Sequence, residues 1–253
     1  MSTDSPEALL LLATEAALAA GGLIRANFGF EPVVASQEAH DIKIELDRRS
    51  QDLIENLLLA RFPEYAIYGE EGVRGAADSE NQWIIDPIDG TVNFFYGIPH
   101  FCVSIALRRA GEIIVGVIYD PMRDELWTVL KGGPALLNGR PIRVSQRSAL
   151  AEATITVGFS KTAASIEKGL PTFERMVRSA KKCRMMGSAA LDVAYVATGR
   201  LDAYIESQIS LWDIGAGVLL VEAAGGSVQL EPHATVPDKY SAVITNGCLD
   251  LGL

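Results

Sequence analysis

The chain has 253 residues, 49% hydrophobic and 21% charged, with 22 lysine plus arginine against 32 aspartate plus glutamate for a formal charge of −10. This composition excludes a disordered or fibrous chain and supplies apolar mass for a substantial core, in one large domain or two closely packed halves. The acid excess repels polyanions, so nucleic acid and anionic membrane are not expected as partners, and an anionic ligand would call for a local reversal of the field, such as a bound metal.

In chain order, helical periodicity predicts a helix over residues 6–27, with Ser5 as N-cap and Pro6 at the first helical position. Glu15 interrupts its apolar run and Asp4 and Glu7 precede it, which differs from the pattern of a signal peptide. A second helix is expected over 47–61, ending before Pro63. Short strands follow at 65–68 and 83–85, each running into acidic residues. Residues 101–130 read as a meander whose turns are Arg109-Ala110-Gly111-Glu112 and Asp120-Pro121-Met122-Arg123, with one more strand at 141–145 after the Asn138-Gly139 turn.

Beyond Gln146 helices and strands alternate differently. Strands at 154–157 and 184–186 flank a basic helix over 164–180. A helix over 188–198 ends at Gly199, a strand covers 202–206, and a helix over 214–224 closes at Gly225-Gly226 before strands at 227–230 and 242–245. The organisation expected is an α+β half (1–146) followed by an α/β half (147–253), joined without a flexible hinge in one compact unit. Cys102, Cys183 and Cys248 form no CxxC pair. They point away from zinc fingers and disulfide scaffolds and toward a reducing, cytoplasmic compartment.

Three stretches carry candidate chemistry. In Trp83-Ile84-Ile85-Asp86-Pro87-Ile88-Asp89-Gly90-Thr91-Val92-Asn93-Phe94 a strand delivers Asp86 at its end and Asp89 follows in the same turn. Two carboxylates this close repel unless one is protonated or a cation lies between them. Asp-Gly-Thr then opens a short helix whose free N–H groups suit an anion, although the same residues also make a plain turn. Gly69-Glu70-Glu71-Gly72 places another carboxylate after another strand, or forms an acidic surface loop. In Leu211-Trp212-Asp213-Ile214-Gly215-Ala216-Gly217, Asp213 precedes an apolar helix; it can cap that helix, and the small residues after it would let the helix start lie close against another layer. His40, His100 and His233 lack HExxH spacing, and neither GxSxG nor GxxxxGK[ST] occurs.

Together these stretches resemble the inositol monophosphatase family of lithium-sensitive, magnesium-dependent phosphatases. The resemblance runs from about residue 7 to 230 and is supported by Leu137-Asn138-Gly139-Arg140-Pro141-Ile142, Gly187-Ser188-Ala189-Ala190, Val196-Ala197-Thr198-Gly199, Asp202-Ala203-Tyr204 and Glu222-Ala223-Ala224-Gly225-Gly226. It implies a layered α-β-α-β-α sandwich, usually a homodimer, and hydrolysis of a small phosphate ester by metal-activated water. Carried over by residue, it implies Glu70, Asp86, Asp89, Asp213 and the Ile88 carbonyl as ligands for two or three magnesium ions. Glu70 and Thr91 would orient and deprotonate the water, with Asp47 as a further catalytic residue. The N–H groups of Gly90 and Thr91 would hold phosphate oxygens, while Asp89, Asp213, Gly187, Ser188, Ala189 and Glu206 would contact the substrate. Inositol 1-phosphate is the first choice; fructose 1,6-bisphosphate, histidinol phosphate and adenosine 3′,5′-bisphosphate are its neighbours, and a catalytically idle phosphate-ester sensor is the reading from another class.

One segment departs from the family pattern. Residues 36–47 keep Asp41 and Asp47 but carry Ser36 where a lysine is usual and Ile44 where a threonine is usual, which bears on the number of metal ions and the lithium response. The basic run of Lys161, Lys168, Arg175, Arg178, Lys181, Lys182 and Arg184 is expected to be a solvated face, with phosphate attraction or a subunit contact as alternatives.

Overall fold

The computed structural model describes residues 4–38, 41–76, 78–160, 162–234 and 238–253. His40, Lys161 and the side chain of Asp41 lie outside the described part. Ser5 accepts the Ala8 N–H at 3.2 Å and starts helix α1 (Pro6–Asn27), as its sequence signals require. Leu9, Ala13, Ala16, Ala17, Ala20 and Ile24 recur at helical spacing and are fully buried. By length and composition α1 could cross a membrane, but this stripe packs on a sheet instead.

A hairpin, β1 (Val34–Glu38) and β2 (Asp41–Ile44), comes next and was not expected from the sequence; its first strand is exposed throughout and shows no alternation of apolar residues. Helix α2 (Glu45–Arg61) starts two residues before the expected position, because Asp47 accepts the Ile44 N–H at 2.8 Å and caps it. Strands β3 (Ala66–Gly69) and β4 (Gly72–Arg74) form a tight hairpin across Glu70-Glu71. Then follow β5 (Asn81–Asp89), α3 (Thr91–Phe95) and the meander β6 (Cys102–Arg109), β7 (Glu112–Asp120) and β8 (Glu125–Leu130). The strand expected at 141–145 is reduced to a two-residue ladder between β9 (Leu136–Leu137) and β10 (Arg140–Pro141). These strands make an eight-stranded sheet of order β10-β9-β8-β7-β6-β5-β3-β4, antiparallel except for β3 beside β5. Alternation assigns its faces: Trp83, Ile85, Ile105 and Val117 pack under α1 and α2, while Ile84, Ala106 and Ile118 face the opposite way.

The later elements are β11 (Thr154–Gly158), α4 (Ala163–Ser179), β12 (Lys182–Arg184), α5 (Ala189–Ala197), β13 (Ala203–Ser210), α6 (Leu211–Ala223), β14 (Ser227–Pro232) and β15 (Lys239–Thr245). They form a second sheet of order β12-β11-β13-β15-β14. Two expected positions are corrected: β12 lies two residues earlier, in parallel register with β11, and α6 begins at Leu211, so Asp213 belongs to its first turn. Helices α5 and α6 fill the space between the sheets, and α4 covers the outer face of the second. The result is the expected α-β-α-β-α layering. At Gly116 on β7 a Cβ would lie 2.8 Å from the Ala216 carbonyl, so the small residues of α6 do set a close helix-to-sheet approach. Lys168, Arg175, Arg178, Lys181, Lys182 and Arg184 are exposed, and Arg178 pairs with Glu174.

Candidate active site

Asp86 and Asp89 are three residues apart, a spacing that in a regular strand would put them on opposite faces. Strand β5 does not end at Ile85 as expected; it continues through Pro87, and its pairing with β6 shifts between Asp86↔Ser104 and Asp89↔Cys102. Three steps on β5 thus match two on β6, a bulge that turns both carboxylates to one face. Proline, which has no N–H for a ladder, sits where such a bulge tolerates it. Asp86 accepts the Ile88 N–H at 3.0 Å. Asp89 accepts the Ser188 hydroxyl at 2.5 Å and the Ala190 and Ala189 N–H groups at 2.7 and 3.3 Å, so the start of α5 is docked on it.

Asp213 arrives from the other half of the chain. It accepts the Ser210 N–H at 3.0 Å, and the preceding Trp212 carbonyl accepts from Ser104, the residue opposite Asp86, at 3.3 Å. One carboxylate oxygen from each of Asp86, Asp89 and Asp213 lies within 4.8 Å of the others. Burial, followed by the charges of Glu70 and Asp89, pushes Asp86 well above the ordinary carboxylate range. Burial and the charges of Asp89 and Glu70 do the same to Asp213. Burial raises Asp89 too, opposed by its three hydrogen bonds.

No lysine or arginine among the described residues forms an ion pair with these three aspartates. Three convergent carboxylates, Asp86 and Asp89 buried and Asp213 half-buried, with an all-oxygen donor set, fit a hard divalent cation. Glu70, on the β3–β4 turn, stands outside the tight trio but lines the same cavity and acts on Asp86, Asp213 and Asp47 through its charge. The neighbouring Glu71 pairs with Lys43, so the altered segment contributes a cation to this turn.

Gly90, with φ +100°, caps α3 in a left-handed conformation where a Cβ would lie 3.0 Å from the His100 carbonyl. The Thr91 hydroxyl is 2.9 Å from the Ile88 carbonyl and 3.2 Å from Asp47. Asp47 is itself buried and is not on the cavity wall; it stands behind Thr91, and burial raises its carboxyl to about 7 against the pull of the Ile44 N–H. Gly187, Ser188 and Ala189 line the cavity, but Ser188 is buried with its hydroxyl engaged by Asp89.

The cavity has a volume of 460 Å³, and its far wall carries Glu206. Burial raises Glu206 to about 7, while Tyr204, whose hydroxyl donates to it at 2.6 Å, opposes that rise. Gly158 leaves the space that Glu206 occupies. Sequence reasoning missed three contributors: Lys239 on the cavity wall, the Asn93 amide that ties the two halves, and a buried Asp192 3.8 Å from His100. A single charge inside the apolar stretch Ala189-Ala190-Leu191-Asp192-Val193 was the available signal for Asp192.

The chain is similar to known proteins along nearly its whole length. The sequence profile of the inositol monophosphatase family matches residues 5–242. The chain is 41% identical over 253 residues to the inositol-1-monophosphatase of Mesorhizobium japonicum, covering 97% of this chain and 94% of that one. It is 40% identical over 228 residues to the Nus factor SuhB of Pseudomonas aeruginosa, covering 87% and 84%. Among solved structures, the inositol monophosphatase of Anabaena superposes with a TM-score of 0.83 at 37% identity, covering 96% of this chain and 92% of that one.

Proposed function

The chain belongs to the inositol monophosphatase family and is a phosphoric monoester hydrolase; from that premise we propose that it releases phosphate from a small polyol phosphate, inositol 1-phosphate first, in a magnesium-dependent reaction. The observation that supports this reading is one cavity with convergent aspartates at one end and Glu206 at the other. Magnesium, two or three ions held by Glu70, Asp86, Asp89, Asp213 and the Ile88 carbonyl, would neutralise the ester's charge, lower the pKa of the attacking water and stabilise the departing alkoxide. Glu70 and Thr91 orient that water; its proton goes to Thr91 Oγ1 as the Thr91 hydroxyl proton goes to Asp47 Oδ1, whose raised affinity suits it to accept one. The free N–H groups of Gly90 and Thr91, at the start of α3, hold phosphate oxygens. Glu206 accepts a hydroxyl of the alcohol, with Gly187 and Ala189 shaping the wall beside it.

Within this reading the protein acts as a cytoplasmic homodimer: its three cysteines are free, which suits a reducing compartment. The charge of −10 argues against nucleic acid as a partner, although one relative is called a Nus factor. An idle sensor is disfavoured by the retention of Glu70, Asp86, Asp89, Thr91 and Asp213 together. The test is phosphate release from inositol 1-phosphate, fructose 1,6-bisphosphate, histidinol phosphate and adenosine 3′,5′-bisphosphate, with magnesium or with chelator, using Asp86→Asn as control. Inositol 1-phosphate should give the highest kcat/KM, and only with magnesium. Equal release in every tube would end the enzymatic reading, and a lead by another ester would reassign the substrate.

A further inference from the structure

Glu206 and Lys239 come from neighbouring antiparallel strands, Glu206 opposite Ala242 and Lys239 opposite Ser210. Between those pairs β13 is bulged, with the register shifting from Glu206 to Ile209. Both side chains line the cavity that holds the aspartates, and Lys239 is the one basic side chain on that wall among the described residues. Its charge reaches Glu206 and favours the ionised carboxylate, yet among the described residues no ion pair or hydrogen bond engages the Lys239 ammonium. One cavity wall therefore presents a carboxylate, which already accepts from Tyr204 and accepts further when ionised, together with an ammonium that can only donate.

We propose that Lys239 is a specificity-determining residue that, with Glu206, reads two adjacent hydroxyls of the ester's alcohol: one hydroxyl donates to Glu206 and the oxygen of the next accepts from Lys239. A vicinal diol offers this combination of donor and acceptor, and a neutral polyol fits it better than a second phosphate would. A second phosphate placed near Lys239 would also meet Glu206, whose charge repels it. The inference rests on the polyol-phosphate reading above and narrows it from polyols in general to those with neighbouring hydroxyls away from the phosphate.

The experiment compares the magnesium-loaded wild type, Lys239→Met and Lys239→Arg on inositol 1-phosphate and on p-nitrophenyl phosphate, whose leaving group has no diol. Losing one hydrogen bond to a charged donor should lower the kcat/KM ratio of the first ester to the second about tenfold in Lys239→Met, mainly through KM. Arginine should restore most of the ratio, since it keeps charge and donors. A ratio unmoved by Lys239→Met, with both esters affected alike, would overturn the proposal and leave Lys239 as a counter-charge. A wild type that cleaves p-nitrophenyl phosphate but leaves inositol 1-phosphate intact would instead fail the polyol reading itself.

Discussion

The side-chain amide of Asn93 donates to the main-chain carbonyl of Met186 at 2.9 Å. The same amide nitrogen donates to the His100 carbonyl at 2.8 Å, so one side chain ties the turn after Asp89 to the loop that begins α5. Replacement by alanine leaves two carbonyls without this donor. Asn93→Ala is expected to lose about 1–3 kcal/mol of unfolding free energy and to raise KM, because the Gly187 loop is no longer held beside Thr91. Denaturant titration and steady-state kinetics check this; an unchanged KM would separate the tie from the site.

Asp213 stands in an unfavourable place for the metal-free fold, close to two other buried carboxylates. Asp213→Asn retains an oxygen to accept the Ser210 N–H but removes one repelling charge. The metal-free variant should therefore melt a few degrees higher than the wild type, about 2–4 °C for 1 kcal/mol in a chain of this size. Its kcat/KM should fall by about a thousandfold or more, since on the proposed reading a charged metal ligand is gone. A variant less stable and still active would refute the convergent-ligand reading.

Stability should also depend on pH in a defined direction. Asp47 and Glu206 are raised to about 7 and Asp192 to about 6, in each case chiefly by burial. The folded state holds these protons when the unfolded chain has already released them. Their contribution is complete below the ordinary carboxylate range of about 4 and is lost as pH rises through the folded values, up to about 7. Metal-free protein should lose melting temperature across that interval. Magnesium should add more stability at about pH 7.5 than at about pH 5, because its ligands must be deprotonated. Thermal melts with and without magnesium test both slopes.

Gly158 faces the Glu206 carboxylate so closely that an added methyl group cannot coexist with it in its present position. Gly158→Ala should displace Glu206, raise KM for inositol 1-phosphate about tenfold and leave the Asp86–Asp89–Asp213 trio assembled. Magnesium-dependent stabilisation equal to that of the wild type, together with the raised KM, is the expected pair of results. A loss of both would show that the two ends of the cavity are not independent.

The elements whose physics is local were legible from the amino-acid order. Ser5 with Pro6, the meander turns and Gly199 as a helix end all act through neighbours in the chain. The motif around Asp86 and Asp89 raised the expectation of a cation for the same reason, since close carboxylates must be neutralised whatever the fold. What local pattern could not decide was direction and distance. The same-face placement of Asp86 and Asp89 depends on a bulge defined only against β6, and Asp213 joins them only because α6 is packed between the two sheets. Lys239 comes to stand near Glu206 through strand register, which carries no signature in either segment alone. Residue chemistry is written along the chain, but the angles that make side chains converge are set by pairings between distant segments, and these exist only once the layers have packed.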